Sequence, residues 1–237
     1  MIIKTIYMLW FQGYEESPDI VKKCYQSWKK YNPDWIIIFL DNNNITKYID
    51  NLLFNYFKNK NMLLCHLSDI IRCILLMNYG GLWIDSTVLC NMSLNNWLEE
   101  YIKEGFFAFS KPTKDRMLCN WFLYSEKDNY IIKKWCEKTI EYYTENDYAE
   151  TYFIHHYIFE YLYKTDLLFK RIWINIPVIL SNNVLFFNER SFNNELTPEI
   201  KKIIDEKKDP LYKLTYKKII PKNNIKILEI NYLLDNI

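Results

Sequence analysis

The 237-residue sequence predicts an α/β protein in which strands and helices alternate along the chain. Two observations predict this class. Short runs rich in β-branched and aromatic residues alternate with segments whose apolar residues recur at helical spacing. Polar residues follow the strands directly, and α/β sheets bind ligands beyond the carboxyl ends of their strands. Because half of the residues are apolar, we expect one domain over residues 1–237 with a sizeable core.

The first strand, helix and strand are predicted within the first 40 residues. Residues 2–10 are rich in β-branched and aromatic residues, which is typical of a buried strand. Ser17 predicts a helix N-cap, and the proline and aspartate that follow it are typical of a first helical turn. An Asn-Pro pair at 32–33 ends this helix, and residues 35–40 predict a second buried strand.

Two of the four glycines, Gly80 and Gly81, are adjacent, which predicts a backbone with no room for side chains. Ser68 predicts the cap of a helix that runs to about residue 78, with Gly80 as its left-handed C-cap. Residues 82–84 predict the following strand. Asp85 then lies at the carboxyl end of that strand, where a ligand is expected.

The rest of the chain has weaker periodicity. The predicted strands cover residues 106–109, 120–125 and 173–180, and the predicted helices cover residues 130–143 and 151–163. The lysine-rich end of the chain shows no clear period.

The net charge of the chain and its distribution limit the kinds of binding partner. A net charge of +1 and the lack of a nucleic-acid-binding motif argue against nucleic acid as a ligand. Residues 201–226 nevertheless contain nine lysines and three acidic residues. This local excess predicts contact with phosphates or with an anionic membrane surface; the alternative is a solvated face.

The cysteines and histidines argue against a disulfide framework or a zinc site. The six cysteines form no Cys-x-x-Cys pair, and there are only three histidines. The cysteines are therefore predicted to be apolar core residues in a reducing compartment. No apolar stretch reaches the roughly 18 residues of a membrane span, and the first residues do not resemble a secretory signal. We expect a cytoplasmic protein that touches a membrane only peripherally, on its inner face.

Three charged residues near the glycine pair are candidates for binding a phosphorylated ligand. Asp85 is the candidate for holding a divalent cation. Asp69 and Arg72 are three residues apart on one helix face, suited to contact hydroxyls and a phosphate; the alternative is an ordinary helix salt bridge. Trp10, at the end of the first strand, is a candidate for stacking on a base, with a core position as the alternative.

These residues carry a family resemblance. The segments concerned are Trp10-Phe11-Gln12-Gly13, Pro18, Ser27-Trp28, Asn32-Pro33-Asp34, Ser68-Asp69-x-x-Arg72 and the run from Gly80-Gly81 through Asp85-Ser86-Thr87. In this order and spacing they resemble the capsular polysaccharide synthesis protein family. That family is similar to the family 32 glycosyltransferases, whose sugar-binding region carries an Asp-x-Asp motif. The likeness covers roughly the first 90 residues most closely.

The resemblance implies a GT-A fold, a Rossmann-type sheet with flanking helices, followed here by a C-terminal helical and basic appendage. Residues 1–125 would form the nucleotide-sugar-binding core, and residues 126–237 the acceptor-side helices and basic tail. The implied function is transfer of a sugar from a nucleotide-diphosphate donor, UDP-linked, with retention at the anomeric carbon. The implied acceptor is a capsular, lipopolysaccharide or other surface glycan, free or lipid-linked.

The resemblance also implies roles for individual residues. Catalytic roles fall to Asp85, Asp69 and Arg72, with Asp85 as the metal ligand. The donor-binding set is Trp10, Phe11, Gln12, Asp69, Arg72, Trp83, Asp85, Ser86 and Thr87. Thr87 stands where the related transferases have their second aspartate, and a hydroxyl is a weaker ligand for Mn²⁺ or Mg²⁺ than a carboxylate.

A lysine would offset the missing carboxylate. The segment at 212–217, Tyr-Lys-Leu-Thr-Tyr-Lys, resembles a lysine-bearing stretch near the end of capsular family members. Our hypothesis is that Lys213, together with Lys217, folds back over the diphosphate and shares the work of the cation. The alternative is a surface lysine on a strand.

His155 and His156 are the remaining polar candidates in an apolar setting. On a helix only one of the two faces the cleft, where it would contact an acceptor hydroxyl or a phosphate; a hydrogen-bonded core histidine is the alternative. A second function class also stays open. A non-catalytic carbohydrate-binding or scaffold protein on a glycosyltransferase fold would bind glycans without consuming a donor.

Overall fold

The computed structural model describes residues 2–221 and 226–236. Residues 1, 222–225 and 237, which include part of the lysine-rich segment, lie outside the described residues. The elements in chain order are β1 (Thr5–Leu9), α1 (Asp19–Tyr31), β2 (Ile36–Leu40), α2 (Asn51–Lys58), α3 (Leu64–Tyr79), β3 (Gly81–Ile84), β4 (Val88–Cys90), β5 (Phe106–Thr113), β6 (Arg116–Ser125), α4 (Tyr130–Glu145), α5 (Ile154–Thr165), α6 (Leu167–Asn175), α7 (Asn182–Glu189), α8 (Pro198–Glu206), β7 (Leu211–Lys213) and α9 (Glu229–Asp235).

The main sheet has the strand order β2-β1-β3-β6-β5. Strands β1, β2 and β3 are parallel, whereas β6 and β5 run antiparallel to their neighbours. Because β2 and β3 lie on opposite sides of β1, the carboxyl ends of β1 and β3 form a topological switch point, the place where such sheets bind ligands. The predicted α/β class is confirmed, and the five strands of this sheet lie where the sequence predicts them.

The backbone at the adjacent glycines has no room for side chains, as predicted. Both have positive φ, +67° at Gly80 and +105° at Gly81. A Cβ atom at Gly81 would lie 2.6 Å from the carbonyl oxygen of Thr5, and one at Gly80 would lie 2.5 Å from Ile3 Cδ1. With φ of +67° and ψ of −173°, Gly80 has a conformation that is essentially restricted to glycine, and not the left-handed helical conformation that was predicted for this C-cap.

Both predicted serine N-caps are wrong. Pro18 is the N-cap residue of α1, because the Ser17 hydroxyl donates instead to the Tyr14 carbonyl at 2.6 Å. Helix α3 begins at Leu64, a full turn before Ser68. Ser68 is therefore inside the helix, where its hydroxyl accepts a hydrogen bond of 3.1 Å from Arg72.

The predicted strand at 173–180 is also wrong, because its first residues belong to α6. The Asp166 side chain caps this helix by accepting from the amides of Leu168 and Phe169. Phe169 and Trp173, one helical turn apart, both pack on Phe159 at 4.8 and 4.9 Å between ring centroids. Tertiary packing of these rings thus overrides the β-like composition.

The C-terminal part of the chain returns to the start of the molecule. Strand β7 pairs with β4 in a second, two-stranded sheet, and α7, α8 and α9 surround a second hydrophobic cluster against α1. An ion pair between the half-buried Arg190 and the buried Glu229 joins the end of α7 to the start of α9. Among the described helices, none is long and apolar enough to cross a membrane.

Candidate functional site

A cavity of about 800 Å³ opens at the carboxyl ends of β1 and β3. Ten of the residues predicted as site residues line it: Trp10, Phe11, Gln12, Arg72, Trp83, Asp85, Ser86, Thr87, Lys213 and Lys217. They come from three separate parts of the chain, and the switch point of the sheet brings them together. Asp69, His155 and His156 do not line the cavity.

Asp85 lies on the cavity floor with partners on both carboxylate oxygens. Its backbone amide donates to the Trp121 carbonyl on β6 at 2.9 Å, which fixes the turn after β3. Oδ1 accepts from the Trp83 indole N–H at 3.2 Å and lies 3.6 Å from Arg72 Nη2. Oδ2 lies 3.3 Å from Lys213 Nζ. The carboxylate therefore sits between two cations, with its side chain 30% exposed.

Arg72 projects from α3 and is almost fully buried. Its guanidinium donates to the Asn120 carbonyl and to the Ser68 carbonyl and hydroxyl oxygens. The guanidinium carbon lies 5.0 Å from the centre of the Trp83 ring, a cation–π arrangement. These contacts aim one edge of the guanidinium toward Asp85 and the cavity.

Asp69 is buried behind Arg72 and does not line the cavity. Its Oδ1 lies 3.2 Å from Arg72 Nη2 and accepts a 2.9 Å hydrogen bond from the Asn120 amide. Burial alone would raise the pKa of Asp69, but the Arg72 guanidinium and the His155 ring outweigh burial and hold that pKa below its ordinary value. The ion pair predicted as the alternative for Asp69 and Arg72 is present, and it orients the arginine.

Neither histidine lines the cavity, and His155 has the hydrogen-bonded core position given as the alternative. His155 is fully buried, stacked on Trp135 at 4.0 Å, with Nε2 3.3 Å from Cys73 Sγ and Nδ1 3.4 Å from Asp69. Burial lowers the pKa of His155, and burial lowers that of His156 to about 3. Both rings are thus neutral; His155 belongs to the core layer under the site, whereas the half-buried His156 packs on Phe153 with 5.8 Å between ring centroids.

Lys213 reaches the site through the pairing of β7 with β4. Val88 and Lys213 are partners in this ladder, and the Leu214 amide donates to the Thr87 carbonyl at 2.8 Å. The Lys213 ammonium donates to the Thr87 hydroxyl at 2.6 Å. The structure therefore places this lysine beside Asp85, 128 positions away along the chain, as the sequence hypothesis requires.

Aromatic residues form the opposite part of the cavity. Trp10 is half-buried and packs edge-to-face on Tyr216, with 5.0 Å between ring centroids. Tyr152, 56% exposed, also lines the cavity. Sequence reasoning missed both tyrosines, along with Ser68 and Asn120, as site residues. Tyr216 lies in the lysine-bearing segment at 212–217, a signal that was available; Asn120 and Tyr152 carry no local signal.

The side chains expected to hold a divalent cation, Asp85 and Thr87, are both paired with positively charged groups. Thr87 supplies a hydroxyl that is already bound to Lys213, and both oxygens of Asp85 face positively charged groups. Within residues 2–221 and 226–236, no three His, Cys, Asp or Glu side chains are grouped so that they would hold a metal ion. Hard cations such as Mg²⁺ and Mn²⁺ prefer oxygen ligands, and the protein offers one carboxylate and one hydroxyl here.

Comparison with solved structures defines the class of fold. The chain is similar to the solved PaToxG glycosyltransferase, with a TM-score of 0.51, 18% identity and 73% of each chain covered. At this identity the likeness shows a shared fold. Together with the switch-point cavity, it confirms the expected GT-A-like α/β architecture.

The sequence comparison gives the family. The model of the capsular polysaccharide synthesis protein family matches residues 1–231, so the chain belongs to that family. It is 29% identical over 153 residues to the O-glycosyltransferase braB of Annulohypoxylon truncatum and 28% identical over 152 residues to the glycosyltransferase afumC of Aspergillus fumigatus. Each match covers 56% of this chain but only 36% and 39%, respectively, of those relatives.

Proposed function

We propose that this protein is a glycosyltransferase that moves a sugar from a nucleotide-diphosphate donor, UDP-linked, to a glycan acceptor. The observation that carries the proposal is the placement of Arg72 and Lys213 on either side of Asp85 in a cavity at the sheet's switch point. A diphosphate is a polyanion, and two fixed cations at the floor of a cavity suit it. Relatives named as glycosyltransferases support the same reading.

The donor's two ends match the two parts of the cavity. Trp10 offers an aromatic face near the carboxyl end of β1, suited to stacking on a base. Arg72 and Lys213 lie near the carboxyl end of β3, suited to the diphosphate. The sugar would then lie beyond the diphosphate, on the side of the exposed Tyr152 ring.

The transfer step needs stabilisation of the leaving group more than a strong base. The bond between the anomeric carbon and the diphosphate oxygen breaks, and its electron pair stays on that oxygen, where Arg72 and Lys213 stabilise the charge. An acceptor hydroxyl forms the new bond to the anomeric carbon, and its proton passes to the departing diphosphate on the same face. Such a step retains the anomeric configuration, and an NMR measurement of the product's anomeric coupling tests it.

We place the acceptor among surface glycans, free or lipid-linked, with the protein on the inner face of a membrane. The lysine-rich segment at 201–226 and six free cysteines, five of them buried, support this setting. In the described part of the segment, Lys201 and Lys202 pair with acids one helical turn away. Sedimentation with anionic vesicles at low salt tests the contact, and its absence there would contradict it.

A nucleotide-release assay tests the proposed activity. Purified protein is incubated with UDP-, GDP- and CMP-sugars and defined oligosaccharide acceptors, and the released nucleotide is measured. We expect release from a UDP-sugar and a loss of about 100-fold in Arg72→Ala, because the variant lacks one of the two groups that stabilise the leaving diphosphate. Lys164→Ala, which removes an exposed lysine of α5 outside the cavity, is the matched control and keeps full activity.

The outcomes separate the two function classes. Release that is equal in the wild type and in Arg72→Ala would contradict the proposed site. Binding of glycans with no donor consumed, across the whole panel, would identify a carbohydrate-binding protein on a glycosyltransferase fold.

A further inference from the structure

Lys213 occupies the place where a cation would bridge Asp85 and the residue two positions later. Its ammonium lies 2.6 Å from the Thr87 hydroxyl and 3.3 Å from Asp85 Oδ2. The lysine side chain is only 16% exposed. One positive charge is therefore held within the protein by the two side chains that would otherwise act as the metal ligands.

A divalent cation would have to displace this ammonium. It would gain one carboxylate and one hydroxyl, and it would stand next to Arg72, whose guanidinium lies 3.6 Å from the other oxygen of Asp85. Like charges at this range repel strongly in a partly buried site. Charge repulsion and the occupied side-chain oxygens thus disfavour metal binding while Lys213 is in place.

We propose that the Lys213 ammonium replaces the divalent cation, so that Arg72 and Lys213 bind the donor's diphosphate and the site works without a metal. The inference rests on the proposed function for the identity of the donor, but not for the binding of the diphosphate itself. Asp85 then has a different role from a metal ligand. It is a positioning residue: one carboxylate oxygen faces Arg72 and the other faces Lys213, which keeps the two cations close together.

The fold keeps this lysine in position before any ligand arrives. Lys213 is the last residue of β7, paired with Val88, and the next residue is bonded to Thr87 through the backbone. Its neighbour Tyr212 is buried and packs on Phe187 at 4.8 Å between ring centroids. A strand-anchored charge loses less freedom on binding than a loop lysine would, which favours affinity.

Binding of inorganic pyrophosphate and of UDP, measured by calorimetry, tests the inference without requiring turnover. In the presence of EDTA we expect the wild type to bind both anions. When Mn²⁺ is supplied in place of EDTA, the UDP affinity should change by less than about twofold. Lys213→Ala should weaken both affinities at least about tenfold, equivalent to about 1.4 kcal/mol. Lys213→Arg should recover much of that loss, and Lys164→Ala, at an exposed lysine on α5, should bind as the wild type does.

A second measurement asks whether the metal site can be restored. The double variant Thr87→Asp with Lys213→Ala supplies a second carboxylate and removes the competing ammonium. Electron paramagnetic resonance should then detect Mn²⁺ bound to this variant in the presence of UDP. The wild type with UDP should give only the signal of Mn²⁺ bound to free UDP.

The outcomes distinguish this inference from the proposed function. Binding of pyrophosphate or UDP by the wild type only when Mn²⁺ or Mg²⁺ is added would overturn it, as would stoichiometric Mn²⁺ on the wild type. Absence of anion binding under every condition would also overturn it. Lys213-dependent pyrophosphate binding in EDTA, without consumption of any nucleotide sugar, would support it while contradicting the proposed function.

Discussion

Arg72 owes its orientation to contacts on nearly every side of its guanidinium. Oxygens of Ser68 and Asn120 accept its hydrogen bonds, and the carboxylates of Asp69 and Asp85 balance its charge. A planar group with several fixed donors suits such a setting, and a lysine would satisfy only part of it. These contacts hold the arginine in one orientation, with one edge of the guanidinium toward Asp85.

Removing the buried charge beneath Arg72 should weaken donor binding without unfolding the protein. In Asp69→Asn the side chain keeps its size and its hydrogen-bonding capacity, but the guanidinium loses a partner at 3.2 Å. We expect UDP affinity to fall about 3- to 10-fold, the effect of one lost charge pair of 1 kcal/mol or so. Calorimetry measures it, with the exposed Asp147→Asn as control, and equal affinity in both variants would contradict the positioning role of Asp69.

The neutral histidines make the fold sensitive to acid. Burial lowers the pKa of His156 from 6.5 to about 3 and also lowers that of His155. As the pH falls below 6.5, the unfolded chain binds protons that the folded chain does not. The contribution of the neutral histidines to the free energy of unfolding is therefore fully present above this pH and is lost as the pH falls. The free energy of unfolding then decreases by up to about 1.4 kcal/mol per pH unit for each histidine.

Urea unfolding at several pH values from 7 down to 4 measures this slope. We expect His156→Phe, which is neutral in both states, to show a smaller decrease in the free energy of unfolding over the same range. A slope unchanged by the substitution would show that His156 does not cause the acid sensitivity.

At the scale of elements, the approach of β3 to β1 depends on a glycine that no other residue replaces. Gly81 has positive φ and would place a Cβ atom 2.6 Å from the Thr5 carbonyl oxygen. Gly13 also has positive φ, but its Cβ would meet only Asp41 Oδ2 at 3.4 Å. Alanine at Gly13 would therefore introduce mainly backbone strain, whereas alanine at Gly81 would introduce backbone strain and a steric clash.

We expect Gly81→Ala to lower the free energy of unfolding by about 2–4 kcal/mol, and Gly13→Ala by about 1 kcal/mol. The extra loss at Gly81 comes from the clash with a strand backbone that cannot move without breaking the β1–β3 ladder. Equilibrium denaturation of the two variants checks the difference. Equal losses would mean that the sheet accommodates the added methyl group.

At the scale of the whole molecule, the N-terminal sheet and the C-terminal segment build one cavity together. Cys65 lies in its lining, whereas the other five cysteines are at most 1% exposed. Burial raises the pKa of the Cys65 thiol, so its alkylation should be slow but selective. This single partly exposed thiol reports on cavity occupancy.

Mass spectrometry after alkylation should find Cys65 as the one modified cysteine in the native protein and all six modified in denaturant. Saturating UDP should slow the native reaction several-fold by covering the cavity. Cys65→Ser is the control, with no native labelling expected. If saturating UDP left the alkylation rate of Cys65 unchanged, the nucleotide would bind outside this cavity.

Local sequence patterns predicted the elements whose causes are local. The strands before Trp10 and Asp85, the helix that ends at Gly80 and the crowded glycine pair follow from periodicity and from backbone sterics, which act over a few residues. The family resemblance added the set of residues that lines the cavity. The helix starts at α1 and α3 were mispredicted because serine hydroxyls found other partners.

Tertiary structure alone decided the placements that depend on distant packing. It buried Asp69 and His155 under the cavity floor, turned residues 167–175 into a helix through ring contacts, and brought Tyr152 to the cavity. The sequence by itself determined that Asp85 follows the glycine pair and a buried strand, and its family resemblance led to the hypothesis that Arg72 and Lys213 lie beside it. Only the pairing of β7 with β4 decided that Lys213 stands between Asp85 and Thr87, because ladder hydrogen bonds between remote segments have no local signature in the chain.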